Sequence, residues 1–183
     1  TQLLRNEKTG TLNPEQEKLI HGIREDADRL LAITGELLKM TQLESGHIQL
    51  NIVGSQVAEI IQYALDATRA QAQQKNIQLE ISMPSPLPNV WVDREKTAWV
   101  MVNLISNALR YSPLQSTIHI SVKEEEKDIR LEVSDQGPGI AADYIPRIFE
   151  RYFRVPGTNT EGSGLGLAIS KDFIEAQGGK IGV

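Results

Sequence analysis

Residues 103–111 read NLISNALRY and belong to a stretch with the apolar spacing of a helix. On that helix Asn103, Asn107 and Arg110 share one face, because they lie four and three residues apart. An Asn amide oxygen suits a magnesium ion that phosphate oxygens already hold, since magnesium takes few protein ligands and keeps water. Arg110 can contact a phosphate directly. A capping or solvated face explains the same stripe equally well, so this segment alone leaves both interpretations open.

A second segment, residues 135–139, reads DQGPG and begins where the apolar strand 131–133 ends. A carboxylate at this sheet edge can accept a hydrogen bond from an exocyclic amine, and Gly137 and Gly139 let a flat base approach the backbone. Asp and Gly also form ordinary turns, and by itself the pattern favours a turn over a binding site.

A third segment, residues 162–167, reads GSGLGL and opens a predicted helix. Flexible backbone that leads into a helix N-terminus is an anion site, because free amide groups and the positive end of the helix dipole face the anion. The segment lacks the Gly-Lys-Ser/Thr of a P-loop and the GxGxxG of a Rossmann unit. No signature set of a eukaryotic-type protein kinase accompanies it.

Together with residues 149–154, which read FERYFR, these segments resemble in order and spacing the N, G1, F and G2 boxes of bacterial sensor histidine kinases. Four ordered motifs are far more specific than any one of them. A helix predicted from Asn13 to Gly46 carries a heptad-like apolar seam and starts with a capping-box pattern, Asn13 to Gln16. It resembles the second helix of the dimerisation and phosphotransfer hairpin of that family, which forms a four-helix bundle between two protomers.

The resemblance implies an α+β fold, namely a two-layer α/β sandwich that binds ATP, with a mixed sheet and helices on one face, preceded by a long bundle-forming helix. It assigns residues 1–50 to the helical hairpin and residues 51–183 to a catalytic ATP-binding domain that is cut short at its C-terminus. The residue pattern of the second part predicts, in order, a helix from Ser55, strands at 77–81 and 90–92, a helix capped by Asp93 and ending near Tyr111, strands at 118–122 and 129–133, a short helix at 144–149, a helix from Ser163 to about Gln177, and a final strand at 180–183.

The resemblance also implies ATP and Mg²⁺ as ligands. Asp135 would hold the adenine and Asn107 would bind Mg²⁺. Asn103 and Arg110 would lie near the phosphates, and with Asn107 they are the expected catalytic residues. This family usually has Lys where the chain has Arg110, so the charge is retained while the geometry changes.

Around these residues the resemblance implies a pocket and a lid. Tyr111 would line the nucleotide pocket, and Arg154 would stand at the base of a mobile lid, residues 155–161, as a candidate phosphate contact. The expected nucleotide-binding residues are Asn103, Asn107, Arg110, Tyr111, Asp135, Gly137, Gly139, Arg154, Gly162, Gly164, Leu165 and Gly166.

The residue type at position 103 helps to distinguish ATP hydrolysis from phosphoryl transfer. Gyrase- and chaperone-type ATPases of this fold carry Glu there, as a base that activates water. An amide cannot take a proton from water, so transfer to another acceptor is favoured over hydrolysis.

The family's acceptor is a His on the first bundle helix, usually followed by Glu or Asp and a Pro, and no such segment occurs in the sequence. His21, His47 and His119 are expected to be ordinary surface or strand residues. We therefore expect the acceptor to lie outside this sequence, and the chain to bind ATP without phosphorylating itself.

Composition limits the alternatives. The chain has 183 residues, a formal charge of −5 and no cysteine, so disulfides and thiolate metal sites are excluded. The acidic balance argues against nucleic acid as a partner. No run of about 18 apolar residues and no signal peptide is present, so we expect a cytoplasmic location without membrane contact, in a parent protein that could be anchored in the inner or plasma membrane.

The resemblance favours a protein-histidine kinase that moves the γ-phosphoryl group of ATP to a His and then to an Asp of a response regulator. Its expected partners are the receiver domain of that regulator and, through the helical bundle, a second protomer. A degenerate kinase that serves as a nucleotide-gated binding module is one alternative. A Ser/Thr kinase or an ATPase on the same fold is another.

Overall fold

The structure, a computed structural model, describes residues 13, 15–17, 19–20, 22–23, 48–157 and 162–183. The chain divides into two compact units, Thr1–Gly46 and His47–Val183. The functional division near residue 50 stays a prediction. In the portion that the structure describes, no helix is long and apolar enough to cross a membrane.

In the first unit, the described residues after Asn13 are helical. The predicted capping box is confirmed: the Asn13 N–H donates to Gln16 Oε1 (3.0 Å) and the Gln16 N–H donates to Asn13 Oδ1 (2.8 Å). The bond between Glu17 N–H and Asn13 O (3.0 Å) closes the first helical turn. The rest of the predicted seam, His21 and His47 lie outside the described residues.

The second unit contains five strands, three α-helices and one 3₁₀ turn among its described residues. In chain order they are β1 (Ile52–Ser55), α1 (Val57–Lys75), β2 (Gln78–Ser82), β3 (Val90–Asp93), α2 (Arg94–Tyr111), β4 (Thr117–Glu124), β5 (Ile129–Ser134), the 3₁₀ turn (Ile145–Arg147) and α3 (Gly166–Ala176).

The main sheet has the order β2-β4-β5, with β2 parallel and β5 antiparallel to β4. Residues of β4 alternate between two environments. Ile118 and Ile120 are fully buried in the core beneath α1 and α2, whereas His119 is exposed and pairs with Glu80 (3.1 Å). Helices therefore cover one face and polar residues cover the other, so the predicted two-layer α+β architecture with a mixed sheet is confirmed.

Asp93 joins three elements at the start of α2. Its Oδ1 accepts from the Lys96 N–H (3.0 Å), which confirms the predicted cap, and its Oδ2 accepts from the Asn51 N–H (2.9 Å) before β1. The Asp93 N–H donates to Gln177 Oε1 (2.6 Å), just after α3. Near the same end of α3, Phe173 packs edge-on against Trp99 of α2 with ring centroids 5.6 Å apart. These contacts fix α3 against α2.

Four local predictions need correction. The helix predicted from Ser55 begins at Val57, and residues 52–55 form strand β1, whose four residues gain their backbone partners only from β3, which is distant in sequence. The short helix expected at 144–149 is reduced to the 3₁₀ turn. The helix expected from Ser163 begins at Gly166, because Gly164 has φ +73°, outside the helical region. No strand forms at 180–183, because these residues make no ladder with any described strand.

Candidate functional site

The polar face predicted on α2 is present in the structure. Asn103, Asn107 and Arg110 are all half-buried on this helix, and Tyr111, its last residue, is 39% exposed. The face points toward two other segments that the sequence singled out. One contact is made at Asn103, another at Arg110, and a third at the carbonyl of Tyr111.

Asn103 is bonded to α3. Its Nδ2 donates to Ser170 Oγ (2.9 Å), and Ser170 Oγ, fully buried, donates to the Gly166 carbonyl (2.9 Å). A Cβ built on Gly166 would collide with the Asn103 amide, lying 3.1 Å from its Cγ and closer still to its Oδ1. One side of the Asn103 amide is therefore engaged in holding the first turn of α3 against α2.

Ser170 was missed by sequence reasoning, although a signal existed. A Ser four residues after the start of a helix can donate back to the carbonyl of the previous turn. Its position on the same helical face as Gly166 would then have aimed it at α2.

Arg110 reaches the glycine-rich turn itself. A Cβ built on Gly162 would lie 2.9 Å from a terminal guanidinium nitrogen of Arg110. The structure therefore brings a fixed positive charge to the segment that leads into α3. This juxtaposition links the first and third of the segments identified in the sequence.

Gly164 differs from Gly162 and Gly166 because it packs against backbone and not against a side chain. Its φ is +73°, and a Cβ there would lie 2.8 Å from the Tyr152 carbonyl carbon. The Tyr152 N–H donates to the Gly164 carbonyl (2.9 Å), and Tyr152 itself has φ +64°. This backbone bond closes the base of the loop that carries Arg154, which is exposed. Residues 158–161 of the predicted lid lie outside the described residues.

Leu165, also among the expected nucleotide-binding residues, has a buried side chain. It is 2% exposed, and its N–H donates to Ser163 Oγ (3.2 Å). The first helical hydrogen bond runs from the Ile169 N–H to the Leu165 carbonyl (2.9 Å). The amide groups that a helix leaves without intrahelical partners therefore begin at Gly166, while the Leu165 side chain packs in the interior.

The Asp135 turn lies against the end of α2. Asp135 is exposed, and its Oδ1 accepts from the Gly137 N–H (2.7 Å). A Cβ on Gly137 would lie 3.1 Å from the Tyr111 carbonyl oxygen, so glycine permits this close approach. Gly139 has φ +72° but no described atom within 4 Å of a built Cβ, so the structure does not pack it against the other candidate residues.

The described residues contain no group of three or more His, Asp or Glu side chains able to hold a metal ion.

Comparison with known proteins agrees with this geometry. The model of the family described as histidine kinase-, DNA gyrase B- and HSP90-like ATPases matches residues 92–183, which include α2, the Asp135 turn and α3. The chain belongs to this family.

Its relatives include sensor histidine kinases, so the resemblance seen in the four boxes is confirmed. The chain is 37% identical over 179 residues to the sensor protein KdpD of Clostridium acetobutylicum, an alignment that covers 95% of this chain and 20% of KdpD. It is 32% identical over 161 residues to the sensor histidine kinase WalK of Bacillus subtilis, which covers 85% of this chain and 26% of WalK. The chain thus spans about a fifth to a quarter of the length of these relatives.

Two solved structures are similar. Full-length ShkA in complex with AMPPNP has a TM-score of 0.80 at 26% identity, covering 98% of this chain and 38% of ShkA. The Acinetobacter baumannii histidine kinase AdeS has a TM-score of 0.73 at 25% identity, covering 94% of this chain and 80% of the AdeS chain.

Proposed function

We propose that this chain is the ATP-binding catalytic region of a sensor histidine kinase. In the parent protein it transfers the γ-phosphoryl group of ATP to a His, from which the group passes to an Asp of a response regulator. The parent protein is proposed to dimerise through its helical bundle, with this catalytic region in the cytoplasm.

The observation that carries the proposal is the approach of Arg110 to Gly162, at the entry to α3. A helix N-terminus attracts anions through its unpaired amide groups and its dipole, and a guanidinium group binds phosphate with two parallel hydrogen bonds. Here the Arg110 nitrogen lies 2.9 Å from a Cβ built on Gly162, four residues before the first residue of α3. A polyphosphate is the ligand that uses both.

The residues present fit a nucleotide with magnesium. Asp135 accepts the hydrogen bond of the turn at Oδ1, which leaves Oδ2 to accept a hydrogen bond from an exocyclic amine. Gly137, which has no side chain, allows a flat base to come close to the backbone. Asn107 is the proposed magnesium ligand. When bound, magnesium neutralises phosphate charge, and Arg110 holds the phosphates in place beside Gly162.

Transfer to a protein acceptor is favoured over hydrolysis by the state of Asn103. An amide cannot accept a proton from water, and its Nδ2 is engaged with Ser170. The side chain therefore orients α3 and does not activate a nucleophile. The acceptor must bring its own nucleophilic group, as the imidazole of a His does.

Nucleotide binding is tested by calorimetric titration of the chain with a non-hydrolysable ATP analogue, with and without Mg²⁺. Wild type is expected to bind with magnesium dependence. Asp135→Asn is expected to weaken binding by about tenfold or more, because a charge-assisted hydrogen bond to the base is lost. Asp128→Asn, which alters an exposed carboxylate in the β4–β5 turn, is the matched control and is expected to bind like wild type.

Phosphoryl transfer is tested by adding a separate helical hairpin that carries the acceptor His, with ATP labelled in the γ position. Acid-labile label on the hairpin, and none on the chain alone, is the expected result. Nucleotide binding without transfer would favour the nucleotide-gated binding module. Absence of nucleotide binding by wild type would contradict the proposal altogether.

A further inference from the structure

The last turn of α2 is held by a residue of another helix. Lys75, at the end of α1, donates from Nζ to the Leu109 carbonyl (2.7 Å) and to the Arg110 carbonyl (3.0 Å). Carbonyls in the last turn of a helix have no intrahelical partner. A cation at this end also interacts favourably with the helix dipole. Lys75 therefore satisfies and orients the end of the helix that carries the site.

Lys75 is itself fixed at its backbone. The residue after it, Asn76, has φ +53°, and the next N–H, of Ile77, donates to the Ala72 carbonyl (2.9 Å). Together with the bond from the Asn76 N–H to Gln73 O (3.1 Å), this is a Schellman motif. The Lys75 side chain therefore projects from a rigid base.

The backbone of Lys75 makes a third connection. Its carbonyl accepts from the Gln115 N–H (3.2 Å) in the segment that joins α2 to β4. Lys75 thus contacts the chain both before and after the end of α2. Its half-buried side chain reduces the competition of water for these bonds.

The turn that Lys75 holds makes two contacts in the candidate site. Arg110, whose carbonyl accepts from Lys75, places its guanidinium group beside Gly162, and the next carbonyl, that of Tyr111, lies against Gly137. A shift of this turn would move both contacts together. The described hydrogen bonds of the Lys75 ammonium group go to the backbone of α2 and not to either glycine segment.

We propose that Lys75 is a positioning residue for nucleotide binding, which fixes the last turn of α2 so that Arg110 meets the phosphates at the start of α3. This inference rests on the proposed function. It assigns to Lys75 an effect that travels through Arg110, so the effect should be measurable as coupling between the two residues.

The test is a double-mutant cycle on the 183-residue chain, with binding of a non-hydrolysable ATP analogue and Mg²⁺ measured by calorimetry. Lys75→Met retains much of the aliphatic stem and removes the donor. It is expected to weaken binding by about tenfold in the wild-type background. In the Arg110→Ala background the same change is expected to weaken binding by less than about threefold, because the side chain that Lys75 positions is absent.

The control is Lys123→Met, which removes an equal charge from the polar outer face, where Lys123 pairs with Glu132 (2.6 Å). It is expected to leave affinity unchanged. If Lys75→Met does not fold, Lys75→Gln, which keeps an uncharged NH₂ donor group, carries the same cycle with a smaller expected loss.

Equal losses from Lys75→Met in both backgrounds, or no loss in either, would overturn this inference and leave the proposed function standing. Failure of the wild-type chain to bind the analogue would overturn both.

Discussion

Replacing Gly166 by Ala tests the contact between α2 and α3. Whether the substitution stabilises or destabilises the fold should depend on the presence of the Asn103 side chain. The backbone at Gly166 has ordinary helical geometry, so Ala is tolerated there and is favoured over Gly by up to about 1 kcal/mol. The new methyl group, however, would lie 3.1 Å from Asn103 Cγ and Nδ2 and closer to Oδ1. Asn103 must then move.

The cost of that movement can be worked from the contacts. Displacing the amide breaks the hydrogen bond to Ser170 (2.9 Å), which contributes about 1 kcal/mol, and forces local repacking that costs about 1 kcal/mol more. After the gain in helix propensity, Gly166→Ala should destabilise the wild-type chain by about 1 kcal/mol. In an Asn103→Ala background the clash is absent, and the same change should stabilise by up to about 1 kcal/mol.

The assay is urea unfolding followed by tryptophan fluorescence. Both tryptophans of the chain, Trp91 and Trp99, lie in the second unit, and Trp99 packs against Phe173 of α3, so the signal reports on this interface. Unchanged slopes of unfolding free energy against urea would show that the mutations act on stability. The same free-energy change for Gly166→Ala in both backgrounds would refute the reasoning.

Two further predictions concern Gly164 and Asp93. Gly164→Ala should lower the free energy of unfolding by at least about 2 kcal/mol, because of left-handed backbone strain and the clash with Tyr152. Gly139→Ala, at a similar positive φ but with open space around the new methyl group, should lower it by about 1 kcal/mol. Equal losses for the two variants in urea unfolding would contradict the close packing of Gly164. Burial tends to raise the pKa of the Asp93 carboxyl, but hydrogen bonds from the Asn51 N–H and from Lys96 outweigh it and lower the pKa. The stability that the Asp93 carboxylate contributes should therefore be complete above about pH 4 and be lost as pH falls through the lower folded-state pKa. Asp93→Asn should flatten the acid side of the plot of unfolding free energy against pH. An unchanged plot would exclude a contribution of Asp93 to acid stability.

The features that could be predicted from sequence are those encoded locally. Asp93 precedes an amphipathic stretch, and its cap on α2 follows from that order. The alternation in 118–122 and 129–133 predicts two half-buried strands, and the structure pairs these two strands as β4 and β5. In each case the residues that carry the pattern also make the hydrogen bonds, so no knowledge of distant partners is needed.

The features that could not be predicted depend on partners far apart in sequence. Strand β1 forms because β3 pairs with it, and the sequence of its four residues does not indicate that pairing. Lys75 and the Arg110 carbonyl are separated by 35 positions, so periodicity says nothing about their contact. The start of α3 depends on a positive φ at Gly164, which the sequence permits but does not require.

The glycines of the third segment illustrate how the motif and the fold are related. Sequence reasoning assigned them to phosphate, for which backbone amides must be accessible. In the structure each one also meets a different part of the chain: Gly162 the Arg110 guanidinium, Gly164 the backbone of Tyr152, and Gly166 the Asn103 amide. A side chain at any of the three would displace one of these neighbours, and at Gly164, where the neighbour is backbone and φ is positive, packing by itself already requires glycine. The ligand would then bind to a turn whose shape the packing of the protein has already fixed. A glycine variant that loses nucleotide binding is therefore evidence for a ligand contact only if its free energy of unfolding is measured as well.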